Sequence, residues 1–141
     1  EGLYNTVWPG RCEVVSKGPL VVLDGAQNVA SARALKNAVR ENFRYKKIIL
    51  VLGISSDKNI KGICDELCGL VDAVILTRAD NPLATKPEAL AEYFKTKKTY
   101  ITGGVEEANN LAKRIAKRED LILVCGSLFV VGEFRNVLQY V

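Results

Sequence analysis

Five short apolar runs, each closed by a polar turn and followed by a stretch of helical spacing, constrain this chain more than any other feature. They fall at residues 20–24 (LVVLD), 47–54 (KIILVLGI), 73–77 (AVILT), 99–102 (TYIT) and 121–125 (LILVC). Continuously apolar runs of this length read as strands covered on both faces. Between the first two, residues 28–43 put Ala32, Leu35, Val39 and Phe43 on one stripe, with Arg33, Lys36, Arg40 and Glu41 mostly opposite, which is an amphipathic helix. Ile60, Ile63, Cys64 and Leu67 mark a second helix. Thr85-Lys86-Pro87-Glu88 fits a capping box, with Thr85 as N-cap of a helix whose apolar face is Ala89, Leu90, Tyr93 and Phe94. Val105, Ala108, Leu111, Ala112 and Ile115 line a fourth helix after Gly103-Gly104, and Leu128, Val131, Phe134 and Leu138 point inward from a fifth. Strict alternation predicts an α/β, Rossmann-like domain over 1–141, a mostly parallel sheet of about five to six strands with helices on both faces. Trp8-Pro9-Gly10 reads as a turn, and residues 12–15 as an added edge strand.

Composition removes several function classes. The net charge of +4 is mild and scattered, enough to attract a nucleotide-sized anion but no argument for nucleic acid. No apolar run reaches membrane-spanning length and no signal peptide opens the chain. The chain contains no Met, even at position 1, as expected of a piece of a longer or processed product. It contains no His, so the commonest neutral-pH general base is missing, and neither a Ser-His-Asp nor a Cys-His site can be assembled from these residues. Cys12, Cys64, Cys68 and Cys125 read as buried, reduced thiols of a cytoplasmic protein, not as metal ligands.

In an open parallel sheet, ligands sit beyond the carboxyl ends of the strands. Polar clusters stand at four of those ends: Asp24-Gly25-Ala26-Gln27-Asn28, Gly53-Ile54-Ser55-Ser56-Asp57-Lys58, Thr77-Arg78-Ala79-Asp80-Asn81-Pro82 and Cys125-Gly126-Ser127. Turns need Gly, Asp, Asn and Ser for capping in any case, so several members carry only that role. Neither GxGxxG nor GxxxxGK[ST] occurs, which disfavours a dinucleotide fold and leaves the chain without a P-loop of its own.

Trp8-Pro9-Gly10-Arg11, Val22-Leu23-Asp24-Gly25-Ala26-Gln27-Asn28, Val51-Leu52-Gly53-Ile54 with Asp57-Lys58, and Gly126-Ser127-Leu128 with Val131-Gly132-Glu133-Phe134-Arg135 stand in a diagnostic order and spacing. In these segments the chain resembles the carboxy-terminal domain of folylpolyglutamate and dihydrofolate synthases, of the Mur ligase superfamily, from roughly Leu3 to the end. The resemblance implies an ATP-dependent amide ligase that adds glutamate to a folate or dihydropteroate through an acyl phosphate. ATP, Mg, glutamate and a folate-type substrate are then its cofactors and partners. The P-loop and most of the Mg coordination belong to an amino-terminal ATPase domain absent from this chain, which holds no catalytic residue itself and is inactive alone. Arg11, Asp24, Gln27 and Asn28 match nucleotide-contacting positions, Asp24 toward the ribose hydroxyls. Gln27 stands where the family usually has His, and it offers a neutral hydrogen bond in place of a cation. Ser127, at a helix N-terminus, is a candidate for the incoming amino acid, with Lys58 and Arg78 as weaker ones. Leu83 stands where the superfamily often has Arg. The alternative is a stand-alone nucleotide-binding or regulatory module of the same fold without catalysis.

Overall fold

In the computed structural model, which describes residues 11–139, every expected strand–helix unit is present. The order is Glu13–Ser16 (β1), Leu20–Leu23 (β2), Val29–Asn42 (α1), Ile48–Leu52 (β3), Ile60–Cys68 (α2), Ala73–Leu76 (β4), Pro87–Leu90 (α3), Lys98–Ile101 (β5), Val105–Ile115 (α4), Leu121–Cys125 (β6) and Leu128–Gln139 (α5), with a 3₁₀ turn at Ala91–Phe94. The strands form one six-stranded sheet in the order β1-β2-β6-β3-β4-β5. All neighbours are parallel except β1, which pairs antiparallel with β2 as the expected edge strand. The turn expected at Trp8-Pro9-Gly10 lies outside the described residues.

The strands look uniformly apolar because both of their faces are covered. Val22, Leu50, Leu52, Val74, Leu76, Leu121 and Leu123 pack with Ala32, Leu35 and Val39 of α1, Ile63, Cys64 and Leu67 of α2, and Leu90 and Phe94. The alternate residues Val21, Leu23, Ile49, Val51, Ile75, Ile122 and Val124 pack with Val105, Ala108 and Ala112 of α4 and Val130, Val131 and Phe134 of α5. The period-2 alternation thus survives as two cores instead of a core and a wet face. On the first face, Glu66 of α2 accepts from Arg33 (2.8 Å) and Lys36 (3.0 Å) of α1, and these two cations hold its carboxyl down to about 2. On the second, Arg135 of α5 pairs with Glu13 of β1 at 2.6 Å.

Three local expectations need correction. Thr85 does not cap α3: the N-cap is Lys86, without a side-chain cap bond, and Pro87 takes the first helical position. The Thr85 N–H donates instead to the Ile54 carbonyl (3.0 Å), and the preceding residues clip onto the end of β3 through Ser56 N–H to Leu83 O (2.7 Å). Those tertiary bonds hold Thr85 extended, so the helix starts at the proline. It lasts one turn before tightening to 3₁₀, which leaves Ala89 exposed where an apolar face was expected. Leu128, expected inward, is 56% exposed at the start of α5.

Gly126 closes the junction of β6 and α5. Its φ is +102°, and a Cβ there would run into the Gly53 carbonyl oxygen at the end of β3. Gly53 is equally confined, since a Cβ on it would meet the Thr77 carbonyl oxygen at 2.9 Å. The strand ends approach this closely only because neither residue carries a side chain. Gly126→Ala should therefore destabilise the fold by about 3 kcal/mol in urea unfolding. A loss below about 0.5 kcal/mol would show that the backbone relaxes freely there.

Candidate functional site

The parallel pairing puts the carboxyl ends of β2, β6, β3 and β4 along one rim, in that spatial order. Gly126-Ser127 therefore sits between the Asp24–Asn28 loop and the Gly53–Lys58 loop, although it is distant from both in sequence. That crevice, where β6 enters between β2 and β3, is the position at which an open α/β sheet binds ligands. Backbone bonds tie its sides together: Asp24 N–H donates to Val124 O (2.9 Å), and Gly126 N–H to Ala26 O (3.0 Å).

Asp24 organises the left side of the crevice. One carboxylate oxygen accepts from the Cys12 N–H (2.9 Å) and the other from the Ala26 N–H (2.8 Å). Cys12 reaches this geometry with φ of +47°, a left-handed backbone uncommon outside glycine. Arg11, exposed at the start of the described chain, lies close enough to act electrostatically on the same carboxylate. Burial pushes the Asp24 carboxyl above its ordinary value of 3.8, against the pull of the two amides and of Arg11. Beneath it, burial pushes the Cys12 thiol up to about 12, with the negative Asp24 adding to the effect. Cys64 is raised to about 12 and Cys125 is also raised, both by burial first. These are protonated, unreactive thiols, and all four cysteines are free.

Asn28 is the N-cap of α1: its Oδ1 accepts from Ser31 N–H (2.7 Å), and Ser31 Oγ accepts from the Asn28 N–H (3.1 Å). The Gln27 N–H also donates to Ser31 Oγ (3.1 Å), and Gln27 is half-buried. Arg11, Asp24, Gln27 and Asn28 are thus brought together, with Asp24 and Asn28 already bonded to backbone.

Ser127 is buried and caps α5, its Oγ accepting from Phe129 N–H (3.1 Å) and Val130 N–H (3.4 Å). It shares a hollow of about 10 Å³, room for one water-sized group, with Arg78, Ser55, Asn81 and Phe129. Ser127 and Arg78 therefore stand together. Lys58 is not in that lining; its backbone N–H turns back to Ser55 O (3.1 Å). Sequence reasoning missed Cys12 as the clamp on Asp24, because a left-handed cysteine leaves no mark in composition or spacing. It also missed Phe129, 53% exposed at this rim; an aromatic two residues after a helix-start Gly-Ser was the available signal. Among the described residues, no group of three His, Cys, Asp or Glu is placed to hold a metal ion, and no helix is long and apolar enough to cross a membrane.

Residues 10–128 match the family profile described as Mur ligase, glutamate ligase domain. The chain belongs to that family. As such a domain it is 30% identical over 139 residues to the dihydrofolate synthase/folylpolyglutamate synthase of Escherichia coli, covering 99% of this chain and 32% of that protein. It is 39% identical over 138 residues to a probable bifunctional folylpolyglutamate synthase/dihydropteroate synthase of Haloferax volcanii, covering 96% of this chain and 16% of that protein. The Escherichia coli enzyme FolC in complex with DHPP and ADP superposes with a TM-score of 0.90 at 29% identity, over 96% of this chain and 32% of that one. The Yersinia pestis bifunctional enzyme with Mn, AMPPNP and L-glutamate bound gives 0.86 at 32% identity, again over 96% and 32%. The Mur ligase domain described here thus spans a third or less of the length of these relatives. It corresponds to their carboxy-terminal domain. That favours the ligase half over a stand-alone module.

The sign of the Asp24 shift gives a test. A carboxyl whose folded pKa is raised stabilises the fold most when protonated, so its contribution is full below the ordinary 3.8 and declines as pH rises through the folded value. The melting temperature of the unaltered chain minus that of Asp24→Asn should fall as pH is raised from about 3 to 7. A difference that grows with pH would mean that the amides and Arg11 outweigh burial.

Proposed function

We propose that this domain is the nucleotide- and glutamate-contacting jaw of an ATP-dependent ligase that joins glutamate to a folate or dihydropteroate. In the reaction, a substrate carboxylate oxygen attacks the γ-phosphorus of ATP, giving an acyl phosphate and ADP. The glutamate amine then attacks the acyl carbon, phosphate departs, and the ammonium proton is lost as the amide forms. The relatives named as such synthases, and their structures with ADP, AMPPNP, Mn and L-glutamate, support this class of chemistry. The observation that carries it is the adjacency of the Asp24–Asn28 loop to Ser127 on neighbouring strands, with Arg11 close enough to act on Asp24 electrostatically.

Each side chain has a part that its own bonds leave room for. Arg11 offers a planar guanidinium to phosphate or to the base. Asp24 has one lone pair of each oxygen committed to a backbone N–H and a further bond from the Cys12 thiol, and what remains accepts from a ribose hydroxyl. It also positions Arg11, since the clamped Cys12 amide is the next link of the chain. Asn28 caps α1 through its oxygen and keeps its amide N–H groups for ligand. Gln27 donates a neutral hydrogen bond where a cation would otherwise stand, which weakens the hold on a polyphosphate. Ser127 and Arg78, which line one small hollow, mark the part of the rim that a carboxylate of the incoming glutamate approaches from outside, with Lys58 as a weaker candidate.

On this reading the Mg that accompanies ATP belongs to a P-loop domain elsewhere in the full-length protein, and no step passes through it here. The chain acts as one folded domain of that protein. Its four free cysteines support a reducing compartment such as the cytoplasm.

In the full-length protein, Arg11→Ala and Asp24→Ala should each raise KM for ATP or lower kcat by about tenfold, measured as glutamate- and folate-dependent ADP release. The 141-residue chain alone should release no ADP above background. Unchanged kinetics in both variants would remove the nucleotide assignments, and enzyme-like turnover by the chain alone would overturn the half-site reading.

A further inference from the structure

The opposite rim of the sheet, at the amino ends of the strands, holds a cavity that the ligase chemistry does not use. Its volume is about 340 Å³, within the range of small-molecule sites. Lys46 and Lys47 enter it from just before β3, Lys98 from the start of β5 and Lys117 from the loop after α4, around the ring of Tyr100. None of the four ammonium groups has an ion-pair partner among the described residues. Lys98 Nζ lies 5.9 Å from the centre of the Tyr100 ring, a contact that holds the cation at the wall without neutralising it.

Two carboxylates also line the cavity, but each is partly spent on the fold. Asp72 Oδ2 accepts from the Ile48 N–H (2.8 Å), and Asp120, itself buried, accepts from the Lys117 N–H (2.8 Å). Four ammonium groups against two committed carboxylates leave an excess of positive charge in a concave space, where low-dielectric walls focus the field. An adjoining hollow of about 550 Å³ meets the first at Asp120 and adds Lys17, Arg44 and Arg118 against one further carboxylate, Glu119. A chain whose whole net charge is only +4 has therefore gathered much of its positive charge at one end. Holding like charges together there costs stability, and a bound anion recovers it. The concave shape favours a compact ligand over the extended backbone of a nucleic acid.

We propose that this cavity binds a compact multivalent anion, a phosphate ester or an oligocarboxylate, with the apolar part of the ligand against Tyr100. Lysines suit both sources, being compact point charges without the fork geometry that would select one. The site is separate from the candidate ligase site: a five-residue strand sets the two rims about 16 Å apart. The inference does not rest on the ligase reading.

The test is an amide-shift titration of the ¹⁵N-labelled 141-residue chain with sodium tripolyphosphate in one arm and citrate in the other, at ionic strength matched with sodium chloride. Saturating shifts at 46–49, 72–73, 98–100 and 115–120, with a dissociation constant below about 1 mM, are expected in at least one arm. Saturation by tripolyphosphate alone marks a phosphate ester, by citrate alone an oligocarboxylate, and by both a general oxyanion site. The K47Q/K98Q double variant changes two exposed side chains, retains its melting temperature, and should bind at least tenfold more weakly. Absence of saturation in both arms, equal binding by the double variant, or shifts centred on 24–28 and 126–131 would each overturn the proposal.

Discussion

The structure depends on its last strand filling the gap between the first parallel strand and the second. β6 pairs with β2 on one side and β3 on the other, and all five of its residues are buried. At about 2 kcal/mol for each apolar side chain removed from water, their burial comes to roughly 10 kcal/mol. That is the size of the net stability of a whole domain. Without β6 the sheet is split, α5 loses its floor, and the carboxyl ends of β2 and β3 face an open slot. The same insertion places Gly126 and Ser127 between the Asp24–Asn28 loop, which carries the nucleotide candidates, and the Gly53–Lys58 loop. Fold and site therefore have one origin: the crevice exists because a strand enters it late in the chain.

Asp24 is the second point on which the site turns. As a carboxylate bonded to two amides from different segments, it fixes the Arg11–Cys12 arm against the Asp24–Asn28 loop. The cost shows as the upward shift caused by burial. A structural bond and a ligand contact are often treated as alternatives for such a residue. Here the four lone-pair sites of a carboxylate allow both.

The buried strands were legible because each is covered on both faces, so apolar runs such as IILVL and LILVC declare themselves. The helices were legible from their stripes, and Asn28, the actual cap of α1, already stood at the head of the helix-like stretch. Strand order was not legible. It is set by where α4 and its loops deliver β6, and no local period encodes that. Thr85 was misread because the capping-box pattern is local, whereas the bonds to Ile54 and Ser56 that hold this stretch are tertiary. Leu128 was misplaced by extending the stripe of α5 back to a first turn that overhangs the rim. The nucleotide candidates were legible through the WPGR and DGAQN segments. Their proximity to Ser127, and the left-handed Cys12, required the fold.

The two rims of the sheet differ in kind. The carboxyl end carries small polar groups largely bonded to backbone, suited to shaping a crevice that a second domain closes. The amino end carries lysines that outnumber the carboxylates beside them and have no ion-pair partner among the described residues. The central claim, that the crevice beside β6 holds the nucleotide in the complete ligase, is tested most directly by hydrogen exchange on the full-length protein with and without a non-hydrolysable ATP analogue. The account predicts that the analogue slows exchange of the amides at 11–12, 24–28 and 126–131 while leaving 46–49 and 98–100 unchanged. Unaltered exchange at 24–28 and 126–131, with protection confined elsewhere in the protein, would contradict it.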